Sequence, residues 1–486
     1  MPVIKVLFVT SEIAPLIKTG GLADVSGALP AALRTLNIDV RVLVPGYPQV
    51  MAQMGPSEVV ATFNELPGFP PSRLIFSIMK TGVPLLVLDC PKLFSRDGGP
   101  YMDPETGHDW TDNPIRFGLL SKVAAVLSSD ASPLSWHPDL VHGNDWQTGL
   151  IGVYLSVATG AVPNIITIHN LAFQGNFRPK KVKLLHLPPD CFSINGVELY
   201  GKMSFLKAGL YYAWHITTVS ANYACEIQGD ELGFGLQGLL QSRTKDITGI
   251  LNGIDTSDWN SETDKYLPAH FSPTRMSGKA HNKQALQQRM GLQVDPAIPL
   301  LAVVSRLTHQ KGLDLLLEIV PRLLDFPVQL VILGSGDAVM QQDARDLAQL
   351  YPGKVAVLIG FDEGLSHQIE AGADIFIMPS RFEPCGLNQF YSQRYGTPPV
   401  VHNTGGLADS VVDCTPETLK DGTASGFVFS GMTTDNLYAT IQRAVDLYRD
   451  ERKWKALRKN CMKKDFSWES SARAYREVYL KVLGRS

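Results

Sequence analysis

Four short stretches of the 486-residue sequence combine charge, glycine and a strand end in ways that suit a negatively charged ligand. Lys18-Thr19-Gly20-Gly21 follows an apolar run at 3–9 and opens a helical pattern. Glycine lets backbone N–H groups approach a phosphate, a helix N-terminus favours negative charge, and Lys18 adds a full cation. Within "SRLTHQKG" (305–312), Arg306 and Lys311 place two cations in a loop after a strand. Arginine offers a planar fork and lysine a point charge, a pair that suits a diphosphate. In "SRFEPCGLNQ" (380–389), Glu383 stands just before Gly386 and a helix. A carboxylate makes sense there if it holds sugar hydroxyls while backbone N–H groups from Gly386 onward hold phosphate. His169 and Asn170, in "TIHNLAFQG" (167–175), end a strand with two hydrogen-bonding side chains.

Each stretch also has a plainer reading. Gly20-Gly21 could be a tight turn, Arg306 and Lys311 a solvated loop, and Glu383 a capping carboxylate. A lone histidine is more often structural than catalytic. The sequence contains no DxD pair and no His/Cys cluster with metal spacing, so no metal and no cofactor is expected. Charge on a leaving group must then be met by Arg, Lys and helix dipoles.

The elements that would position these residues follow an α/β rhythm. Apolar runs at 3–9, 39–45, 84–90, 139–145 and 164–170 read as strands, with helical segments such as 114–127 and 202–213 among them. The rhythm restarts near 299, with strands at 300–306, 328–336, 354–360, 374–380 and 398–403. The stretch 252–280 reads as a connection, and 466–483 as an amphipathic helix with aromatics on one face. This predicts two doubly wound α/β domains with mostly parallel sheets, whose ligands bind at the carboxyl ends of strands.

Bulk properties narrow the partners. The chain is 44% hydrophobic and 19% charged, with a formal charge of −3. No nucleic acid or membrane partner is expected from that balance. The six cysteines are scattered, and the N-terminal run lacks the features of a signal peptide, so a reduced, cytoplasmic protein is expected.

Taken together, "KTGGLADVSGALP", "TIHNLAFQG", "FLKAGLYYA", "GILNGID", "VVSRLTHQKGLD", "PSRFEPCGLNQ" and "TGGLADSV" resemble the ADP-glucose-using starch/glycogen synthase family, in the family's order and over essentially the whole chain. The resemblance implies a GT-B fold: two Rossmann-like doubly wound domains facing across a deep cleft. It implies an N-terminal domain at 1–250, a nucleotide-sugar domain at 251–465, and a C-terminal helix, 466–486, returning to the first domain. The implied reaction moves glucose from ADP-glucose to the non-reducing end of an α-1,4-glucan such as glycogen, with retention. His169, Arg306, Lys311 and Glu383 are then the catalytic group. Lys18, Gly20, Gly21, Asp24, Asn170, Asn252, Phe361, Cys385, Gly386, Leu387 and Asn388 belong to the ADP-glucose site, with Phe361 against adenine. Asp145 and Trp146 fall on the acceptor side.

Four positions depart from the family pattern. Asn144 stands where histidine is common, a change expected to alter acceptor contacts. Asn388 replaces a usual threonine, and His402-Asn403 replaces basic or small residues. The hexapeptide TGGLAD occurs at both Thr19–Asp24 and Thr404–Asp409. Only the first copy, led by Lys18, is expected to bring charge to the donor; the second is expected to shape the wall behind Glu383 or to touch the sugar. Two other readings remain: a related transferase with another nucleotide-sugar donor, and a catalytically silent glucan-binding protein.

Overall fold

The run IKVLFV forms strand β1 (Ile4–Val9), in which Val6, Leu7, Phe8 and Val9 are fully buried. A strand covered on both faces has no solvent side, which is why the run is apolar almost throughout. The computed structural model describes residues 3–485. The chain up to Gly253, with the helix from Trp468 onward, makes one unit, and Ile254–Ser467 makes another.

The first unit contains β1, β2 (Ile38–Pro45), β3 (Ser57–Phe63), β4 (Ser72–Ile78), β5 (Pro84–Asp89), β6 (Leu140–Asn144) and β7 (Asn164–Ile168). After the short strands β8 (Asn176–Phe177), β9 (Glu198–Leu199) and β10 (Lys202–Ser204) come β11 (His215–Thr218) and β12 (Ile247–Gly249). The main sheet runs β12-β11-β7-β6-β1-β2-β5-β4-β3. Its members pair in parallel except β3 and β4, which add an antiparallel edge. That edge was not read from the sequence, because β3 is mostly exposed and carries little apolar pattern. The helix expected at 202–213 starts later, at Phe205. Ser204 caps it by accepting the Lys207 N–H at 3.2 Å, and residues 202–204 pair as β10.

The C-terminal helix Trp468–Val482 packs within this first unit. The Tyr479 hydroxyl meets His142 Nδ1 at 2.8 Å, Ser471 Oγ donates to Leu251 O at 2.6 Å, and Arg485 reaches Asp139 at 3.3 Å.

The second unit holds β13 (Leu300–Val304), β14 (Gln329–Gly334), β15 (Val355–Ile359), β16 (Ile375–Met378), β17 (Pro399–His402) and β18 (Phe427–Phe429). All pair in parallel, in the order β15-β14-β13-β16-β17-β18. Successive residues of β13 serve opposite cores. Leu301 and Val303 join the helices Leu313–Leu323 and Thr434–Tyr448, while Leu300 and Ala302 join Ser277–Arg289 and Glu363–Gly372. The stretch read as a connection is packed rather than loose: Asp264 is buried and accepts hydrogen bonds from His367 and Tyr395.

Each sheet has a point where strand order turns outward in both directions, between β1 and β6 in the first unit and between β13 and β16 in the second. Ligands of open α/β sheets bind outside the strand ends at such points. Among the described residues, no helix is long and apolar enough to cross a membrane.

Candidate active site

In the second unit, the loops after β13 and β16 line a cavity of about 330 Å³ that includes Arg306, Lys311, Phe361, Glu383, Gly386 and Asn388. Arg306 is exposed, and its side chain forms no hydrogen bond or ion pair among the described residues, although its carbonyl accepts the Thr308 N–H at 3.0 Å. Lys311 is tied to Glu383 by a short ion pair, and Ser380 Oγ donates to the same carboxylate oxygen at 3.1 Å. Lys311 and Glu383 are both largely buried, with side-chain exposures of 19% and 9%. The two roles read separately from the sequence, phosphate cation and sugar carboxylate, therefore meet in one contact.

Backbone fit places that contact. Gly312 has φ +67°, and a Cβ there would lie 1.9 Å from Pro379 O, so the Lys311 loop lies directly on the end of β16. Only glycine meets both demands without strain. Arg381 locks the loop further. It forms a two-pronged bridge to Asp314 at 2.6 and 2.8 Å, donates to His309 O, and its N–H donates to Gln310 O at 2.9 Å. Leu387 is the cap of the helix Asn388–Arg394 and supplies no side-chain hydrogen bond to it.

In the first unit, Glu12 follows β1, Asn144 ends β6 and His169 follows β7. Glu12 is 3% exposed. Its Oε2 accepts the N–H groups of Thr19 at 2.6 Å and Gly20 at 3.3 Å, and its Oε1 accepts the Tyr101 hydroxyl at 2.6 Å. The N–H groups expected to cradle phosphate in this loop are thus partly used by the protein's own carboxylate. Lys18 is 56% exposed and pairs with Asp24 at 2.7 Å.

His169 is held from two sides. Its N–H donates to Asp145 Oδ1 at 2.7 Å, and its Nε2 meets Asn144 Oδ1 at 3.0 Å. The Asn144 amide nitrogen is committed to Val9 O at 3.0 Å, so the oxygen faces the ring and Nε2 carries the proton. Burial lowers the His169 pKa to about 3 and keeps the ring neutral. Burial pushes the Asp145 carboxyl up to about 7, against the opposing hydrogen bonds from the His169 and Asn170 N–H groups.

The comparisons with known proteins agree over the whole length. Residues 5–242 match the model of the starch synthase catalytic domain, and 287–460 match that of glycosyl transferases group 1. The chain is 58% identical to a glycogen synthase of Nitrosomonas eutropha over 99% of this chain and 97% of that one. It is 56% identical to a glycogen synthase of Nitrosospira multiformis over 100% and 98%. The chain belongs to the glycogen synthase family. The catalytic domain of starch synthase IV from Arabidopsis thaliana, solved with ADP and acarbose, superposes with a TM-score of 0.86 at 30% identity, covering 99% of this chain and 100% of that one. A sucrose-phosphate synthase from Thermosynechococcus elongatus shares the fold, with a TM-score of 0.60 at 16% identity over 99% and 100%.

Within this glycogen synthase family member, several residues sit differently from the sequence expectation. Trp146, expected on the acceptor side, is 9% exposed and packs among Phe117, Phe177 and Phe205, so its ring belongs to the core. Asn144, expected to alter acceptor contacts, is buried and instead holds His169. The Asn388 amide nitrogen donates to Val304 O, tying the helix start to β13. Cys385 is buried and does not line the cavity, whereas Gly386, Leu387 and Asn388 do. Phe361 lies at the cavity and is 84% exposed. Asn170 closes a local turn by accepting the Ala172 N–H at 3.1 Å. Asn252 is buried, and its Oδ1 has no hydrogen-bond partner among the described residues. His402 meets Ser380 O through Nδ1 at 2.9 Å.

Four residues that organise the site were missed in the sequence: Glu12, Ser380, Arg381 and Gly312. Glu12 had a usable signal, a carboxylate at a strand end beside a glycine loop. Arg381 had none, because its partner Asp314 belongs to the first turn of the helix Leu313–Leu323, far along the chain.

Proposed function

We propose that this chain transfers glucose from ADP-glucose to the non-reducing end of an α-1,4-glucan, with glycogen as acceptor and ADP as product. Identity above 50% to glycogen synthases along the full chain carries this reading. The free Arg306, beside Lys311 and Glu383 in one cavity, supplies its chemistry.

Breaking the bond between glucose and diphosphate puts negative charge on the leaving oxygen. Arg306 and Lys311 meet that charge, the kind of electrostatic stabilisation that dominates many enzymatic rate enhancements. Donor binding exchanges partners: phosphate takes Lys311, and sugar hydroxyls take Glu383, which Ser380 keeps in place. His169, with its Nε2 proton committed to Asn144, stays neutral and accepts a hydrogen bond from a sugar hydroxyl at Nδ1. The acceptor hydroxyl attacks on the face that the phosphate leaves and passes its proton to that phosphate, so configuration is retained. With Glu383 occupied by the sugar hydroxyls and held by Ser380, this route is favoured over a carboxylate nucleophile. Lys18, released from Asp24, adds a cation to the donor, and Phe361 offers its exposed ring to adenine.

The test is ADP or UDP release from ADP-glucose and UDP-glucose, each with and without glycogen, alongside glucan elongation. The proposal expects release that needs both ADP-glucose and glycogen and is at least about tenfold slower with UDP-glucose. Equal rates with both donors, or release without elongation, would overturn it.

A further inference from the structure

We propose that Asp258, Glu363 and His367 form a binding site for a divalent transition-metal ion of the zinc class, separate from the donor cavity. One ligand atom from each lies within 4.8 Å of the others. None of the three lines the cavity that holds Arg306 and Glu383. The site does not rest on the proposed glucosyl transfer.

The histidine points to a ligand. His367 is fully buried, yet its Nε2 has no hydrogen-bond partner among the described residues. A buried polar atom without a partner is costly and calls for an explanation. Glu363 Oε1, one helical turn earlier on the same face, stands 3.7 Å away, beyond hydrogen-bond length. His367 Nδ1 meets Asp264 Oδ2 at 2.7 Å, and that oxygen also accepts the Tyr395 hydroxyl at 2.5 Å. With Nδ1–H given to Asp264, Nε2 is left as a lone pair facing two carboxylates. A ligating histidine whose other nitrogen donates to a carboxylate is the common arrangement around zinc.

The ring is also fixed in orientation. Trp259 stacks on it at 3.8 Å between centroids and 10° between planes, and Tyr391 stacks on Trp259 at 3.7 Å. Trp259 follows Asp258 directly, so the stack that holds the imidazole also holds the third ligand's backbone.

The donor set selects the ion. One imidazole and two carboxylates give a charge of −2, which matches a dication. Nitrogen ligation favours zinc-class ions over magnesium or calcium, which prefer all-oxygen shells. Three protein ligands leave a fourth position to water. Ligand atoms around tetrahedral zinc lie roughly 3.3 Å apart, given bonds of about 2.0 Å. Asp258 and Glu363 are exposed, so side-chain rotation brings them in. The bound ion would pin the stretch following Ile254 to the helix Glu363–Gly372. Sequence spacing could not show the site, because Asp258 is far along the chain from the other two.

The test is calorimetric titration of the tag-free full chain with zinc chloride, and separately with magnesium chloride. Both are repeated on Asp258→Asn and Glu363→Gln, exposed positions whose replacement leaves the fold intact. The proposal expects one zinc per chain, magnesium at least about a hundredfold weaker, and a loss of zinc affinity of at least about tenfold in each variant. Zinc-edge anomalous scattering from crystals should place the ion against His367 Nε2. No zinc binding up to millimolar concentration, binding unchanged in both variants, or anomalous density elsewhere only would overturn it.

Discussion

At Thr19–Asp24, a Cβ built on Gly20 or Gly21 would meet no described atom within 4 Å. At Thr404–Asp409, one built on Gly405 would lie 2.0 Å from Glu383 O, and one on Gly406 would lie 2.1 Å from Cys385 O. The same six residues thus stand in opposite surroundings. The second copy is used up by the fold: its Gly406 N–H donates to Glu383 O at 3.0 Å and Pro384 O at 3.1 Å. It forms the wall behind Glu383. The first copy has glycines that nothing in the protein's own packing requires, beside the exposed Lys18. Open space beside a glycine leaves room for something to come close, and in the proposed function that is the donor. Identity of sequence marks a shared strand–turn–helix geometry, not a shared role.

The largest effect separates the copies by stability. Gly405 has φ +44°, so Gly405→Ala both strains the backbone and drives a methyl into Glu383 O. We expect a loss of about 3 kcal/mol or more in denaturant unfolding. A loss under about 1 kcal/mol would show that the wall yields and that the contrast is weaker than drawn.

Next comes the cation that the fold does not use. Arg306→Ala should lower kcat/KM by at least about a hundredfold, roughly 3 kcal/mol of transition-state stabilisation. Its unfolding midpoint should stay in place, because the Arg306 side chain has no partner to lose among the described residues. Lys311→Ala should lower activity as well, but also stability, since it strands the buried Glu383 carboxylate. Equal midpoints for the two variants would contradict the ion pair.

This difference between free and committed residues also marks what the sequence could show. Strand ends, glycine turns and cations are local, and Lys18, Arg306, Lys311 and Glu383 are legible from neighbours along the chain. The partners that hold them are not. Glu12 grips Thr19 and Gly20 but is anchored by Tyr101, and Arg381 reaches across to Asp314. Trp146 is expected on the acceptor side, and only the fold shows Phe117 and Phe205 packed around it. The strands β11, β12 and β18 have only three or four residues, too few for a period to register.

A smaller effect sharpens the first copy. Lys18→Ala should reduce kcat/KM about tenfold, near 1.4 kcal/mol. Stability should change by less than about 0.5 kcal/mol, because the Lys18–Asp24 pair is solvent-screened. Full activity in this variant would move the donor's charge contacts elsewhere.

The smallest effect concerns pH. Burial holds His142 and His169 down near 3, so stability due to their neutral state is lost as pH falls from about 6.5 toward 3. Burial pushes Asp145 up to about 7, so the folded chain keeps a proton that the unfolded chain releases above about 4. Asp145 therefore opposes the histidines between about pH 4 and 6.5. Asp145→Asn should steepen the acid loss in that window, by at most about 1.4 kcal/mol per pH unit. An unchanged slope in pH-dependent unfolding would mean that Asp145 ionises as an ordinary carboxylate.

The most direct test of the contrast is Gly20→Ala, with ADP release and unfolding measured on the same preparation. We predict a kcat/KM for ADP-glucose at least about tenfold lower, with stability within about 0.5 kcal/mol of the unsubstituted chain. Wild-type kcat/KM in the folded variant, or a loss of stability like that of Gly405→Ala, would contradict the assignment of the first copy to the substrate.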